Sequence, residues 1–412
     1  MIAFPFAPLS DLAEVNPKIK LEKGEDYPFV AMGDVTPGRR YVHAIRRRSL
    51  TGGARFLPGD TLLARITPCL ENGKIAQYDP NGDPGFGSTE FIVLRARPGK
   101  ADPGYIHSLA VSEIVRGPAI GSMSGASGRQ RADAKAVADT SVPLPPLATQ
   151  RRIASILVAY DDLIEVNRRR VAVLEEMARG LFEEWFVRFR FPGHEAVPIV
   201  ETSDGPLPEG WTFGSANSLV NFDPKTRVPK EGEKPFIPMG QLDTSTSLIG
   251  KHEWRTGNSG AKFRNGDTLF ARITPCLENG KTGLVRDLPG DDGVGFGSTE
   301  YIVMRGSRAG PAFAYCLSRL QAFRDHARSS MSGASGRQRA RTDSVSVFEL
   351  VIPPNNNLLD RFEAVTWPML QLVGDLGKTN ERLAASRDLL LPRLISGQLS
   401  VEAAERQLED AA

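Results

Sequence analysis

The sequence predicts an α+β chain. Two homologous, β-rich mixed α/β domains are separated by two long antiparallel coiled-coil helices, forming a pseudo-two-fold internal repeat. Three observations predict this. Apolar residues recur at alternating spacings of four and three between Leu147 and Phe191. The same period returns near the end of the chain. Between the two, blocks of the first 145 residues come back about 207 positions later.

The chain divides accordingly into a first domain (1–145), a central helix (146–192), a linker (193–210), a second domain (211–353), and a distal helix with its tail (354–412). The first domain is rich in Gly and Pro and carries short β-type runs at Tyr27–Met32, Thr61–Ile66 and Glu90–Leu94. These read as strands joined by Gly, Asn and Asp turns. The linker holds Pro192, Gly193, Pro198, Gly205, Pro206, Pro208 and Gly210. From Trp211 the first domain starts again. GDTLLARITPCLENGK at 59–74 returns at 266–281 with Leu63 replaced by Phe270 as its one change. GFGSTE at 85–90 returns at 295–300, and SMSGASGRQRA at 122–132 returns unchanged at 330–340. A unit this long is a duplicated domain rather than a solenoid repeat.

In the central helix Ile153, Leu157, Tyr160, Ile164, Asn167, Val171, Leu174, Ala178, Leu181 and Trp185 form a heptad seam, the mark of a helix packed on another helix. Forty residues at 1.5 Å each make a rod of about 60 Å. Arg151, Arg152, Arg168 to Arg170, Glu175, Glu176, Glu183 and Glu184 read as its solvated face. The distal seam runs through Phe362, Thr366, Met369, Val373, Leu376, Asn380, Leu383, Arg387, Leu390 and Leu394. Pro368 and Pro392 are expected to start, kink or end that helix, and Gly374 and Gly377 to weaken it. The residues assigned to helix pairing are Ile164, Asn167, Val171, Val173 and Leu174 on the first rod, with Val373, Leu376, Asn380 and Leu383 on the second. Asn167 and Asn380 share a phase, and a seam Asn is a device for fixing register. The expectation is an antiparallel pair with these two near the crossing.

Composition narrows the function. Net charge is +2 with 24% charged residues, so any basic surface must be local. No run approaches the roughly 18 apolar residues of a membrane span. The N-terminal MIAFPFAPLSDLAEV lacks a secretion pattern. Cys69, Cys276 and Cys316 form no C-x-x-C pair, which suits thiols in a reducing cytoplasm. There is no P-loop and no H-E-x-x-H, and none of the five histidines recurs in its counterpart copy. Asn-Pro-Pro-Tyr and Asp-Pro-Pro-Tyr stretches of amino-methyltransferases are absent, as is a nuclease carboxylate–lysine cluster. The reading is a chain without a catalytic site, metal or cofactor of its own.

What is present suits nucleic acid. Ser124, Ser127, Arg129, Gln130 and Arg131 return as Ser332, Ser335, Arg337, Gln338 and Arg339. Hydroxyls, loop N–H groups and guanidinium forks suit phosphate oxygens, and Arg and Gln read guanine and adenine edges. Within the longest shared block Arg65, Thr67, Glu71, Asn72 and Lys74 are candidate contacts, as are Arg272, Thr274, Asn279 and Lys281 in the second copy; Ile66, Cys69 and Leu70 are assigned to the core. GFGSTE is read as a turn that sets the following strand. The copies diverge at 34–51 against 241–258, where Arg46 to Arg48 face Lys251, His252, Trp254 and Arg255, and again at 97–121 against 307–329.

These parts, in this order, resemble the specificity (S) subunits of type I restriction–modification systems. The resemblance rests on LPPLATQRRIASILVAYDDLIEVNRRRVAVLEEMARGLFEEWFV at 144–187, LLLPRLISGQLS at 389–400, and the blocks ITPCLENGK, GFGSTE and SGASGRQR. The segment IPPNNNLLDRFEAV lacks the Gln150–Arg152 stretch of the central region. The resemblance implies a non-catalytic, cytoplasmic DNA-binding subunit. Each target recognition domain reads half of a bipartite double-stranded DNA site through the major groove, and the helices set the spacer. They also dock two methyltransferase (M) subunits, which bring S-adenosylmethionine and flip an adenine. Nuclease–translocase (R) subunits with ATP and magnesium complete the complex. A two-fold-like reader prefers inverted half-sites at fixed separation, and the near-identical blocks predict a nearly palindromic one. The alternatives are a stand-alone coiled-coil scaffold or DNA-binding regulator, and a self-contained methyltransferase or nuclease.

Overall fold

The computed structural model describes residues 4–126, 128–203, 205–333 and 337–409. It is a mixed α/β protein with two long helices, Leu147–Phe186 and Asn357–Ile395. The chain forms two compact units: residues 1–166 with 380–412, and residues 167–379. Each unit therefore holds one β-rich domain and part of each long helix.

In the first unit a five-stranded sheet has the order Ala13–Val15, Phe91–Ala96, Thr61–Ala64, Ile75–Tyr78, Tyr41–Val42. A four-stranded sheet has the order Arg46–Ser49, Asp26–Val30, Gly85–Gly87, Ala54–Phe56. The strand Thr61–Ala64 is buried on both faces, which is why its sequence shows no polar alternation. Helix Pro103–Val111 covers that sheet, and helix Glu113–Gly121 packs against this helix in turn; the first is capped by Asp102, whose carboxylate accepts from the Gly104 and Tyr105 amides. One core joins Leu9, Leu63, Ile92 and Tyr105 to Ile153 and Leu157 of the first long helix and to Leu394 and Ile395 of the second. A second, under the other sheet, holds Val30, Phe56, Tyr78 and Phe91.

The second unit repeats these sheets. Tyr301–Gly306 lies between Val220–Phe222 and Thr268–Ala271, and Lys234–Ile237 pairs in parallel with Val294–Gly297. Within this unit the two long helices touch along their seams. Phe182 meets Phe362 with ring centroids 5.9 Å apart, and Val171 packs with Val373 and Leu376. Residue numbers thus rise along one helix as they fall along the other. Aromatic residues Trp185, Phe186, Trp211 and Phe313 complete the core there.

Three expectations about the rods change. Pro368 and Pro392 neither start nor end the second long helix, which runs on through both. Pro368 and the residue four before it, Ala364, are both exposed, so water can satisfy the carbonyl that loses its donor. Val173 is 53% exposed and lies off the seam; Leu174 makes the contact beside Val171. Glu175 belongs to no solvated face. It is 1% exposed and accepts from the Ser247 amide (2.5 Å) and the Tyr315 hydroxyl (2.7 Å). The helix here carries a domain on its flank as well as its partner helix, and a two-body seam cannot reveal that. Gly374 and Gly377 have the same explanation. A Cβ on Gly374 would meet the Arg286 guanidinium at 3.1 Å, and one on Gly377 would meet Leu248 at 2.7 Å. Ile164 and Asn167 are buried, and Asn380 and Leu383 half-buried.

Candidate nucleic-acid interface

The three repeated blocks meet at one end of the strand Thr61–Ala64. The Arg65 amide donates to the Glu90 carbonyl (2.9 Å), and the Arg65 carbonyl accepts from the Ala132 amide (2.7 Å). Thr67 donates through both its amide (3.0 Å) and its hydroxyl (3.2 Å) to the Gln130 carbonyl. The loop from Ser124 to Arg131 is closed by reciprocal backbone bonds of 3.1 and 2.9 Å between its ends. Its turn needs Gly125 at φ +124, where a Cβ would also crowd the Arg129 carbonyl at 3.3 Å.

Arg131 closes the platform from above. Its guanidinium grips the Glu90 carboxylate through Nε and Nη2 at 2.7 to 3.0 Å. This bidentate pair holds the Arg131 proton more firmly than usual and ties the SGASGRQR loop to GFGSTE. The second copy is built the same way. Arg272 bonds Glu300 and Ala340 through its backbone, and Thr274 and Gln338 exchange bonds of 3.1 and 3.2 Å. Arg339 grips Glu300 at 2.7 to 2.9 Å.

The candidate contact residues thus separate by environment. Arg129 and Arg337 are exposed, and no acidic side chain among the described residues pairs with them. Gln130 and Gln338 are half-buried, with their backbones bonded to the threonines. Ser124 and Ser332 are exposed at the loop bases, while Ser127 and Ser335 lie outside the described residues. Lys74 and Lys281 donate their ammonium groups to the Met32 and Met239 carbonyls at 2.8 and 3.0 Å. Asn72 and Asn279 are exposed in turns whose amides bond Pro68 and Pro275. Arg65 and Arg272 are half-buried, and the Nε of each is buried without a partner.

The diverging segment forms the edge strand of the second sheet. In the first copy Arg46–Ser49 is exposed throughout, and the Arg48 guanidinium lies 4.5 Å from the Phe29 ring centre. In the second copy the edge strand is Glu253–Arg255, with Arg255 3.9 Å over Phe236 and Trp254 54% exposed. Sequence reasoning missed a third feature, a cleft beside Arg65 lined by Lys18, Lys20 and Arg55. Its signal was present in the chain: Lys20 and Arg55 return as Arg227 and Lys262, so charge is kept while the residue changes. Among the described residues no His, Cys, Asp and Glu cluster suits a metal, and no helix is long and apolar enough to cross a membrane.

A platform of this kind is present twice in the chain, once in each β-rich domain. Residues 4–176, somewhat under half of the chain, match the family model described as type I restriction modification DNA specificity domain, and the chain is similar to type I restriction enzyme specificity subunits. It is 22% identical to the MjaIX specificity subunit of Methanocaldococcus jannaschii, with 96% of this chain and 93% of that protein aligned. It is 32% identical to the EcoEI specificity subunit of Escherichia coli over 36% of this chain, which spans 26% of that relative's length. The solved S subunit of a type I restriction-modification system from M. genitalium has the same fold, with a TM-score of 0.53 at 13% identity, and the likeness covers 96% of both chains.

Proposed function

We propose that this chain is the DNA sequence-specificity subunit of a type I restriction–modification complex and acts in the cytoplasm without a catalytic site of its own. Each β-rich domain is a target recognition domain that reads one half of a bipartite site. The long helices form an antiparallel coiled coil that sets the spacer. The observation that carries this reading is the paired platform: the same three blocks, joined by the same backbone hydrogen bonds, in both domains of a chain similar to specificity subunits.

The helices also dock two methyltransferase subunits, which supply S-adenosylmethionine; nuclease–translocase subunits supply ATP and magnesium chemistry. Leu163, Val166, Val173 and Met177 support this: these apolar side chains of the first long helix are each about half exposed, at spacings that keep them on one stripe. Because the platforms are nearly identical, the half-sites share most of their bases. The test is single-molecule methylome sequencing of a host expressing this chain with and without its methyltransferase partner. A bipartite N6-methyladenine motif that needs both supports the reading. No motif, with both proteins expressed, overturns it. Two dissimilar half-sites would leave the role standing and move base reading to the edge strands Arg46–Ser49 and Glu253–Arg255.

A further inference from the structure

We propose that each domain carries a phosphate-holding cleft that grips the DNA backbone without reading sequence, formed by Lys18, Lys20, Arg55 and Arg65 in the first domain. The inference rests on the DNA-reading role proposed above. In the first domain the cleft has a volume of about 720 Å³ and is floored by Gly53, Phe91 and Val93. Its four charged lining residues are all cations; no carboxylate lines it. Lys18 and Lys20 are exposed, and Arg55 is anchored through Nη1 to the Ile19 carbonyl at 2.9 Å. Other arginines of this domain are matched by acids, among them Arg95 by Asp60 at 2.6 Å and Arg131 by Glu90 at 2.7 Å. An unmatched cationic cleft is an anion site by its chemistry.

The second domain repeats the frame. Asn16 and Asp223 both stand at positive φ, +52 and +46. The Asn16 side chain accepts from the Val93 amide at 3.0 Å, and that of Asp223 from the Val303 amide at 2.9 Å. Neither Gly53 nor Gly260 has room for a side chain: a Cβ would meet the Gly87 carbonyl oxygen at 2.1 Å in the first and that of Gly297 at 2.0 Å in the second. On that frame the second domain places Lys225, Arg227, Lys262 and Arg272 at the positions of the first four, beside one carboxylate, Asp223, whose oxygens are taken by the Val303 amide and the Thr342 hydroxyl. Two of the four swap Lys for Arg or the reverse. Base edges are read by the planar Arg fork, for which Lys is no substitute, whereas a phosphate accepts either as a point charge. The swaps therefore select phosphate over base. The cleft also adjoins the platform, since Arg65 lines one and its backbone builds the other.

The experiment uses the full chain in complex with its methyltransferase partner. Lys18→Gln with Lys20→Gln, and separately Lys225→Gln with Arg227→Gln, are titrated across salt against a duplex bearing the methylated motif and a scrambled duplex. These four side chains are exposed, and unchanged thermal melting confirms intact folding. Each lost phosphate contact lowers the slope of log K against log salt by about 0.9, which is about 8-fold in affinity at 0.1 M salt. The expected result is a slope smaller by about 2 for either pair, equal losses on both duplexes, and an unchanged methylated motif. An unchanged slope overturns the proposal, and so does a loss confined to the motif-bearing duplex. A wild-type complex that binds neither duplex overturns the DNA-reading role itself.

Discussion

Tyr315→Phe tests how the second domain is fastened to the first long helix. In the native protein the Tyr315 hydroxyl donates to Glu175 Oε2 at 2.7 Å, while Oε1 accepts from the Ser247 amide. Glu175 is 1% exposed and Tyr315 fully buried, so no water can replace the lost donor. Burial, with the Glu175 charge, raises the Tyr315 hydroxyl far above its ordinary value, so it stays a donor at any working pH. The substitution leaves no cavity beyond one oxygen, and Arg319 keeps its bonds to the Thr244 and Gly280 carbonyls. What is lost is the hydrogen bond to a buried charge together with the one the hydroxyl accepts from Arg319 Nε at 3.0 Å, at least about 2 kcal/mol. For a unit of roughly 200 residues that lowers the melting temperature by about 4–8 °C. The assay is calorimetry of the whole chain, with hydrogen exchange at 171–182 and 311–319 to assign the transition. A shift below about 1 °C, or one confined to the first unit, would refute the reasoning.

His107 is buried, and burial, followed by the charges of Arg40 and Arg387, pushes its pKa well below 6.5. Because the unfolded chain then binds the extra proton, stability falls as pH drops below about 6.5, by up to about 1.4 kcal/mol per pH unit; His107→Gln removes that slope, and parallel urea titrations at pH 7.5 and 5.5 compare the two. Pro368→Ala should stabilise the second long helix by about 1–3 kcal/mol, since the position is exposed and already helical; a lower midpoint in urea melts would show that the proline is needed. Arg129→Ala and Arg337→Ala should each weaken binding to the methylated motif by about 1–3 kcal/mol and relax one position of it, read by anisotropy on single-base variants. Arg131→Ala should instead speed exchange at the Thr67 amide, because its guanidinium is committed to Glu90.

The sequence alone determined the repeat, the two long helices and the blocks that matter. Those are local or periodic properties: a heptad seam, a shared offset and a run of eleven identical residues are all visible without a third dimension. Only the tertiary structure decided what each residue in those blocks does. Arg129 and Arg131 look alike in SGASGRQR and both are exposed, yet only Arg131 is clamped by an acid, 41 positions away. Lys74 reads as a surface cation, and the fold gives its ammonium group a partner in the Met32 carbonyl 42 positions away. Glu175 reads as solvated until a domain closes over it. In each case the deciding partner is distant in the chain, and the choice between water and a buried partner is made by packing, which no local period encodes.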